Sequence, residues 1–244
     1  MKNRIIVILF SVLFIWVVSL SSVTAGFQDF LKSAQEALGV SDSISDSEIV
    51  EGLKEALEVG TANAVKLVAK ENGYYKNPNI KIPLPESVQK VEKMLRGAGF
   101  GQKVDEFDLS MNRAAERAAP EAKSIFWDTI KQMEIADAKK ILNGRDDEAT
   151  RYFKDKTYGR LVEAFKPIVQ TSMGEVGVTR TYQDLNSKVE SIPFADILSF
   201  DLDQYVTDGA LNGLFAMLAA EEKKIRSDPA ARVTDLLKKV FGNK

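Results

Sequence analysis

The sequence contains no cysteine and no histidine. That removes disulfides, thiol nucleophiles, c-type haem attachment and zinc sites built on either ligand. It also removes every triad in which an imidazole carries the proton. Any acid–base work falls to Asp, Glu, Lys or Tyr. Charge of one sign is scarce as well: 33 basic residues face 35 acidic ones, a net charge of −2 over 244 residues. Such a balance gives no electrostatic reason to expect nucleic acid as a partner. No cofactor motif occurs, and no cofactor is expected. What remains is ordinary for a globular protein, with 45% apolar and 28% charged residues. The chain is long enough to bury a core without staples.

The N-terminus departs from this pattern. Lys2 and Arg4 precede an almost unbroken apolar run over residues 5–20, and Val23 and Ala25 stand where a signal peptidase inspects the chain. This is the layout of a secretory signal peptide over residues 1–25, with cleavage expected between Ala25 and Gly26. The alternative is an uncleaved anchor helix, for which the run falls short of the roughly 20 apolar residues that span a bilayer. No cysteine stands at the cleavage site, so lipid attachment there is excluded. Without Lys2 and Arg4, 31 basic residues face 35 acidic ones, a net charge of −4. The expected address is the periplasm of a Gram-negative cell, with no integral membrane span after cleavage.

Residues 26–244 are expected to form one all-α domain, a multi-helix bundle with a short extended proline-containing arm. Ser45 and Glu48 fit a capping box. Ile49, Leu53, Ala56, Leu57, Gly60, Ala64, Leu67 and Val68 then recur at helical steps, until Glu71-Asn72-Gly73 ends the helix. In residues 74–85, Pro78, Pro83 and Pro85 forbid a regular helix while Ile80, Ile82 and Leu84 alternate. That reads as an extended arm or a short edge strand. Helices are expected from Glu86, over 102–119 with a kink or restart at Pro120, over 135–142, from Asp146 or Asp147 through Phe153, over 157–173 with a bend at Pro167, and over 179–189 up to a break at Ile192-Pro193-Phe194. The segment 202–225 is the central core candidate, since residues 209–220 are apolar nearly all round. Asp228-Pro229 then caps a last helix striped with Val233, Leu236, Leu237, Val240 and Phe241.

Two polar clusters carry whatever chemistry there is. Asn112 and Glu116 share one helix face, with Arg113 and Arg117 on the next. They read either as a solvated surface with ion pairs or as a cluster turned inward to hold a ligand or lock packing. Glu221-Glu222-Lys223-Lys224-Ile225-Arg226 ends the core helix, where Arg226 complements the helix dipole. Arg232 follows near a helix start that does not favour it, so either an acidic partner compensates, with Glu221 and Glu116 as the candidates, or the side chain points to solvent. A salt-bridge lock between helices is the plain reading of this cluster. Tyr74 and Tyr75 read as solvent-facing loop anchors, with docking of the proline arm or contact with a partner as the alternative. Asp146-Asp147-Glu148 lacks the ligand spacing of a calcium loop and is better explained as helix capping, so no metal is expected.

The ordered set of motifs is familiar. Gly52-Leu53-Lys54-Glu55-Ala56-Leu57, Ile80-Lys81-Ile82-Pro83-Leu84-Pro85, Met111-Asn112-Arg113-Ala114-Ala115-Glu116 and Asp137-Ala138-Lys139-Lys140-Ile141-Leu142 occur in that order. Ala149-Thr150 with Tyr152-Phe153, Tyr205-Val206-Thr207, Glu222-Lys223-Lys224-Ile225-Arg226 and Pro229-Ala230-Ala231-Arg232 follow. Together, over about residues 42–242, they resemble the bacterial domain-of-unknown-function family 4197. The resemblance implies an exported, mostly helical, single-domain protein and brings no catalytic or binding residues with it. The leading functional reading is a non-enzymatic envelope protein that binds a partner or a small apolar ligand. Asn112, Glu116, Tyr205, Glu221, Arg226 and Arg232 would then line its site. The alternatives are a carboxylate-dependent cell-wall hydrolase or lyase using Glu116 or Glu221, and a structural or assembly protein acting through the arm. Glu86-Ser87 mimics the glutamate–serine pair of helical lytic transglycosylases, but no Gly-Leu-Met-Gln segment follows it.

Overall fold

The computed structural model describes residues 45–175 and 201–232, together with Lys238. The expected signal peptide, the helix over 179–189 and the last apolar stripe lie outside the described residues. The chain divides between Ser45 and Asp46, and the architecture below is that of the unit beginning at Asp46.

Helix α1 (Asp46–Ala69) starts directly after Ser45 and buries the expected face, including Leu53, Ala56, Gly60, Ala64 and Val68. Asn72, at φ 63°, turns the chain away after the helix. The arm over residues 74–85 is a run of turns followed by extended chain. It lies on the bundle, not beside it: Tyr74, Ile80 and Ile82 are buried in the main core. No strand occurs among the described residues, so the arm is not an edge strand. Helix α2 (Glu86–Leu95) leads through a single π-turn (Arg96–Phe100) into α3 (Gly101–Ala118). Pro120 sits in a 3-10 turn (Ala119–Glu121) that restarts the chain as α4 (Ala122–Lys131), as a missing N–H at a helix start allows. Then follow α5 (Ile135–Asn143), α6 (Glu148–Glu175) and α7 (Leu202–Ser227). Asp201 caps α7, its carboxylate accepting the Gln204 amide at 2.9 Å.

Helix α6 differs from expectation. The two helices read on either side of residues 154–156 are one, running through Pro167. The reason is a continuous row of buried side chains: Phe153, Thr157, Leu161, Phe165, Val169 and Met173 are all fully buried at steps of four. Lys154, Asp155 and Lys156 are the exposed side of the same helix, not a break. Pro167 costs about 3 kcal/mol in an isolated helix, and the flanking Phe165 and Val169, both fully buried, offset that cost.

Helix α7 is central and packs on α1, α3 and α6. It is less completely buried than its composition suggests, because Asn212, Ala216 and Ala220 face solvent. An aromatic group fixes the middle of the core. Phe126 meets Phe153 edge-on at 5.1 Å and Phe215 at 6.2 Å, and Tyr158 stacks on Phe215. The arm beds on α7 over Gly209 and Gly213. A Cβ at Gly213 would lie 2.4 Å from the Tyr74 ring, and one at Gly209 would lie 3.0 Å from Ile82. Gly60 is different, for a Cβ there would make ordinary contact with Ile225 at 3.4 Å.

These spacings set opposite outcomes for one kind of change. Gly213→Ala is expected to cost about 1–3 kcal/mol, because the buried Tyr74 ring has nowhere to go. Gly60→Ala is expected to be neutral or to stabilise by up to about 1 kcal/mol through helix propensity. Urea denaturation of both variants reads the contrast.

Candidate functional site

The arm poses a local problem. Extended chain pressed on a helical bundle has no neighbouring strand, and its buried amides and carbonyls must still be satisfied. Helix α3 supplies the partners. Asn112, fully buried, accepts the Ile82 amide at 2.8 Å and donates to the Ile82 carbonyl at 3.0 Å, as the next strand of a sheet would. Its remaining N–H donates to the Asp108 carbonyl. One turn on, the Glu116 carboxylate accepts the amides of Tyr74 at 3.0 Å and Tyr75 at 3.2 Å through one oxygen, and Arg113 donates to the other. Arg113 also reaches Glu71 at 3.0 Å and Asn72 at 3.1 Å.

Further bonds fasten the arm from other sides. The Tyr74 hydroxyl donates to the Ala210 carbonyl at 2.6 Å, and the Tyr205 hydroxyl donates to the Pro83 carbonyl at 3.1 Å. Lys81 bonds Asp108 at 2.6 Å and lies over the Tyr75 ring. The inward reading of Asn112 and Glu116 therefore holds, while Arg117 is exposed and pairs with Glu175. Tyr74 corrects the expectation of a solvent-facing anchor, because it is wholly enclosed between the arm and α7.

The second cluster sits where α5, α6 and α7 meet. Glu222 accepts the Ala149 and Thr150 amides at 2.9 Å and the Thr150 hydroxyl at 2.8 Å, a carboxylate on the positive end of α6. Arg226, one turn on, bonds Glu222 at 2.9 Å and the Ile141 carbonyl at 2.8 Å, a cation on the negative end of α5. One ion pair thus joins two helix ends of opposite polarity. Arg232 corrects its expected pairing. It donates to the Ile225 and Arg226 carbonyls at 3.2 and 2.9 Å, so its compensation is the C-terminus of α7, not Glu221 or Glu116. Glu221 instead joins α7 to α1 through Asn63 at 3.2 Å.

The six candidate residues accordingly fall into separate groups. Asn112, Glu116 and Tyr205 gather on the arm, Arg226 and Arg232 hold helix ends, and Glu221 lies between α1 and α7. Sequence reasoning passed over Glu222 in favour of its neighbour. The signal was available: Leu218, Glu222 and Ile225 share one helical face, and Glu222 stands four residues before Arg226.

Two hollows adjoin these groups. A crevice of 20 Å³, lined by Leu53, Ala56, Gly60, Ala149, Leu218 and Ile225, opens beside Glu222 and Arg226. It has room for about one water molecule. A groove of 380 Å³ runs between the arm and the exposed side of α7, with Asn79, Lys81 and Pro83 on one wall and Tyr205, Asp208 and Asn212 on the other. Burial and then the neighbouring Glu86 raise the Tyr205 hydroxyl above its ordinary range. Asp208 accepts from Tyr158 and Gln204, both at 2.9 Å. No group of three acidic side chains among the described residues is placed to hold a metal ion. In the Asp146-Asp147-Glu148 run, Asp147 pairs with Arg151 at 2.9 Å, which holds its carboxyl below the usual range.

Removing the Glu222 carboxylate leaves Arg226 and two helix-end amides uncompensated. Glu222→Ala is therefore expected to cost about 3–5 kcal/mol, against about 1–2 kcal/mol for the adjacent Glu221→Ala, whose buried carboxylate accepts from Asn63, read by chemical denaturation. Burial, reinforced by Glu116, pushes the Tyr74 phenol far above its ordinary value. An unfolded tyrosine ionises near pH 10, so above that point the folded chain holds more protons and stability falls as pH rises. Burial and then Asp137 likewise push Tyr152 up to about 12. Stability is expected to decline between about pH 10 and 12, with a shallower slope in Tyr74→Phe.

No curated protein and no solved structure matches the chain. One family model does, over residues 43–242, which takes in nearly every element described above. The chain belongs to that family, whose description is protein of unknown function (DUF4197).

Proposed function

We propose that the protein is exported and works in the cell envelope by binding, not by catalysis, and that it binds in the groove between the arm and α7. The observation that carries this reading is where the buried polar side chains are spent. Asn112, Glu116 and Glu222 are each used up on backbone amides or carbonyls of a neighbouring segment. A general acid or base needs a free proton position beside a cleft. Both Glu116 oxygens already accept bonds, and Glu222 faces a crevice with room for a single water. Among the described residues the crevice in the core, at 20 Å³, is too small for an apolar ligand. The groove is the hollow onto which the bedded arm opens: 380 Å³ in volume, with Asn79 and Asn212 exposed and Tyr205 on the wall. A second surface hollow of 600 Å³, between the start of α1 and residues 133–136, is bordered by none of the six candidate residues.

The arm itself is poorly suited to pairing with another chain's strand. Pro83 and Pro85 lack amide hydrogens, the Lys81 amide is bonded to Asn77 at 2.8 Å, and both polar groups of Ile82 are bonded to Asn112. This favours a ligand or partner seated against the arm over one that extends it.

Native mass spectrometry of the protein recovered from the periplasm tests both halves. The expected polypeptide mass begins at Gly26. A bound species at one per chain is expected, and Asn212→Trp, which fills the groove from an exposed position, should release it without lowering the melting temperature. A chain starting at Met1 would sink the export half. A bare mass from gently lysed cells, with nothing cross-linked to the groove, would sink the other.

A further inference from the structure

The hairpin made by α2, the π-turn and the first turn of α3 is built differently from the rest of the bundle. Leu95 and Val104, backed by Leu84 and Phe100, form a small apolar cluster of their own, separate from the main core. Helix α2 packs chiefly on the π-turn and α3. Its first half is tied down by Val88, which belongs to the main core. Its far end, with the turn, stands clear.

The composition of that end does not follow from packing. Met94 is 45% exposed, Gly97, Ala98 and Gly99 are exposed, and Phe100 is half-buried. Gly99 has φ 88° and needs glycine. Gly97 has no such need, and a Cβ there would meet nothing within 4 Å. A glycine inside a helical turn weakens it, and here the fold gains nothing in return.

Charge gives the second observation. Residues 86–106 are balanced, with Lys90, Lys93, Arg96 and Lys103 against Glu86, Glu92, Asp105 and Glu106, but Glu86 stands at the base of α2 beside Tyr205, away from the tip. Arg96 is taken by two of the acids, Glu92 at 2.9 Å and Asp105 at 2.7 Å. Lys90 and Lys93 are exposed, Lys103 is half-buried, and none of the three makes an ion pair among the described residues. Lys90 and Met94 follow one another at a step of four on α2, and the exposed Ala98 lies in the π-turn beyond them, so cationic and apolar groups lie together at this end.

We propose that this hairpin tip is a peripheral docking element for an anionic phospholipid surface. Met94, Ala98 and Phe100 enter the acyl boundary, and Lys90, Lys93 and Lys103 meet the headgroups. A glycine-rich apolar tip with a skirt of unpaired lysines has the amphipathic layout that interfacial anchors use. A protein partner needs about 800 Å² on each side, more than a single helical turn with one exposed methionine offers. The proposal stands apart from the groove reading and from the question of export.

The test uses the chain from Gly26, which keeps every described residue and leaves out the apolar run over residues 5–20. It is sedimented with vesicles of phosphatidylglycerol mixed with phosphatidylethanolamine, and separately with phosphatidylcholine vesicles. Binding is expected to the anionic vesicles alone and to weaken as salt rises. Lys90→Glu with Lys93→Glu should weaken it by roughly 20-fold or more, and Met94→Asp should also reduce it. All three are surface changes, and unchanged melting confirms the fold. A Met94→Trp reporter in a Trp127→Phe background should shift its emission to the blue on vesicles. Trp127, exposed beside Lys131 on α4, is the competing lipid contact. A blue shift from Trp127 in the otherwise unaltered chain would overturn the proposal. So would absence of binding to anionic vesicles, equal binding to phosphatidylcholine, or binding unaffected by the tip variants.

Discussion

The structure depends on satisfying the backbone of an extended segment that has no sheet to join. Residues 74–85 press apolar side chains into a helical core, which drags their amides and carbonyls out of water. An unpaired buried amide costs about 1–3 kcal/mol, so the arm can lie there only if the helices beneath it donate and accept. Asn112 and Glu116, one turn apart on α3, do so for Ile82, Tyr74 and Tyr75. The glycines of α7 supply the matching recess. Everything near the groove follows from that bedding: where Tyr205 points, why Lys81 is held by Asp108, and why Tyr74 is closed off.

The Glu222–Arg226 pair applies the same logic to helix ends. Two helices that meet at a short turn leave free carbonyls on one and free amides on the other. Waters could serve them at the surface, but here the junction is covered by α7. A carboxylate and a guanidinium on consecutive turns of α7 meet both needs at once. Arg232 does the same for α7 itself. The polar residues that most resembled an active site are thus occupied by the backbone, and the surfaces free to meet other molecules are chemically milder.

Much of this was legible beforehand because helices advertise themselves by spacing. The stripe of α1, the restart at Pro120 and the stop at Asn143-Gly144 all follow from local rules. What spacing does not encode is who answers a polar group across the fold. Glu221 and Glu222 are adjacent and chemically identical, and only the position of the α6 N-terminus distinguishes them. Arg232 illustrates the same limit, since its partners are carbonyls, which every residue carries. Tyr74 looked like a loop residue because it follows a helix stop, and its burial depends on Gly213, almost 140 positions away. The split of α6 failed for a narrower reason: Lys154-Asp155-Lys156 is strongly polar, and the buried row that passes beside it steps over those three residues.

That row has a geometric consequence. A step of four residues advances about 40° beyond a full turn of an ideal helix. From Phe153 to Met173 the buried line therefore winds through roughly 200°. No single flat neighbour can cover it. Helix α6 must be wrapped, meeting different helices at successive levels, and it does pack on α3, α4, α5 and α7. It behaves as a spindle, with its apolar face distributed in a spiral.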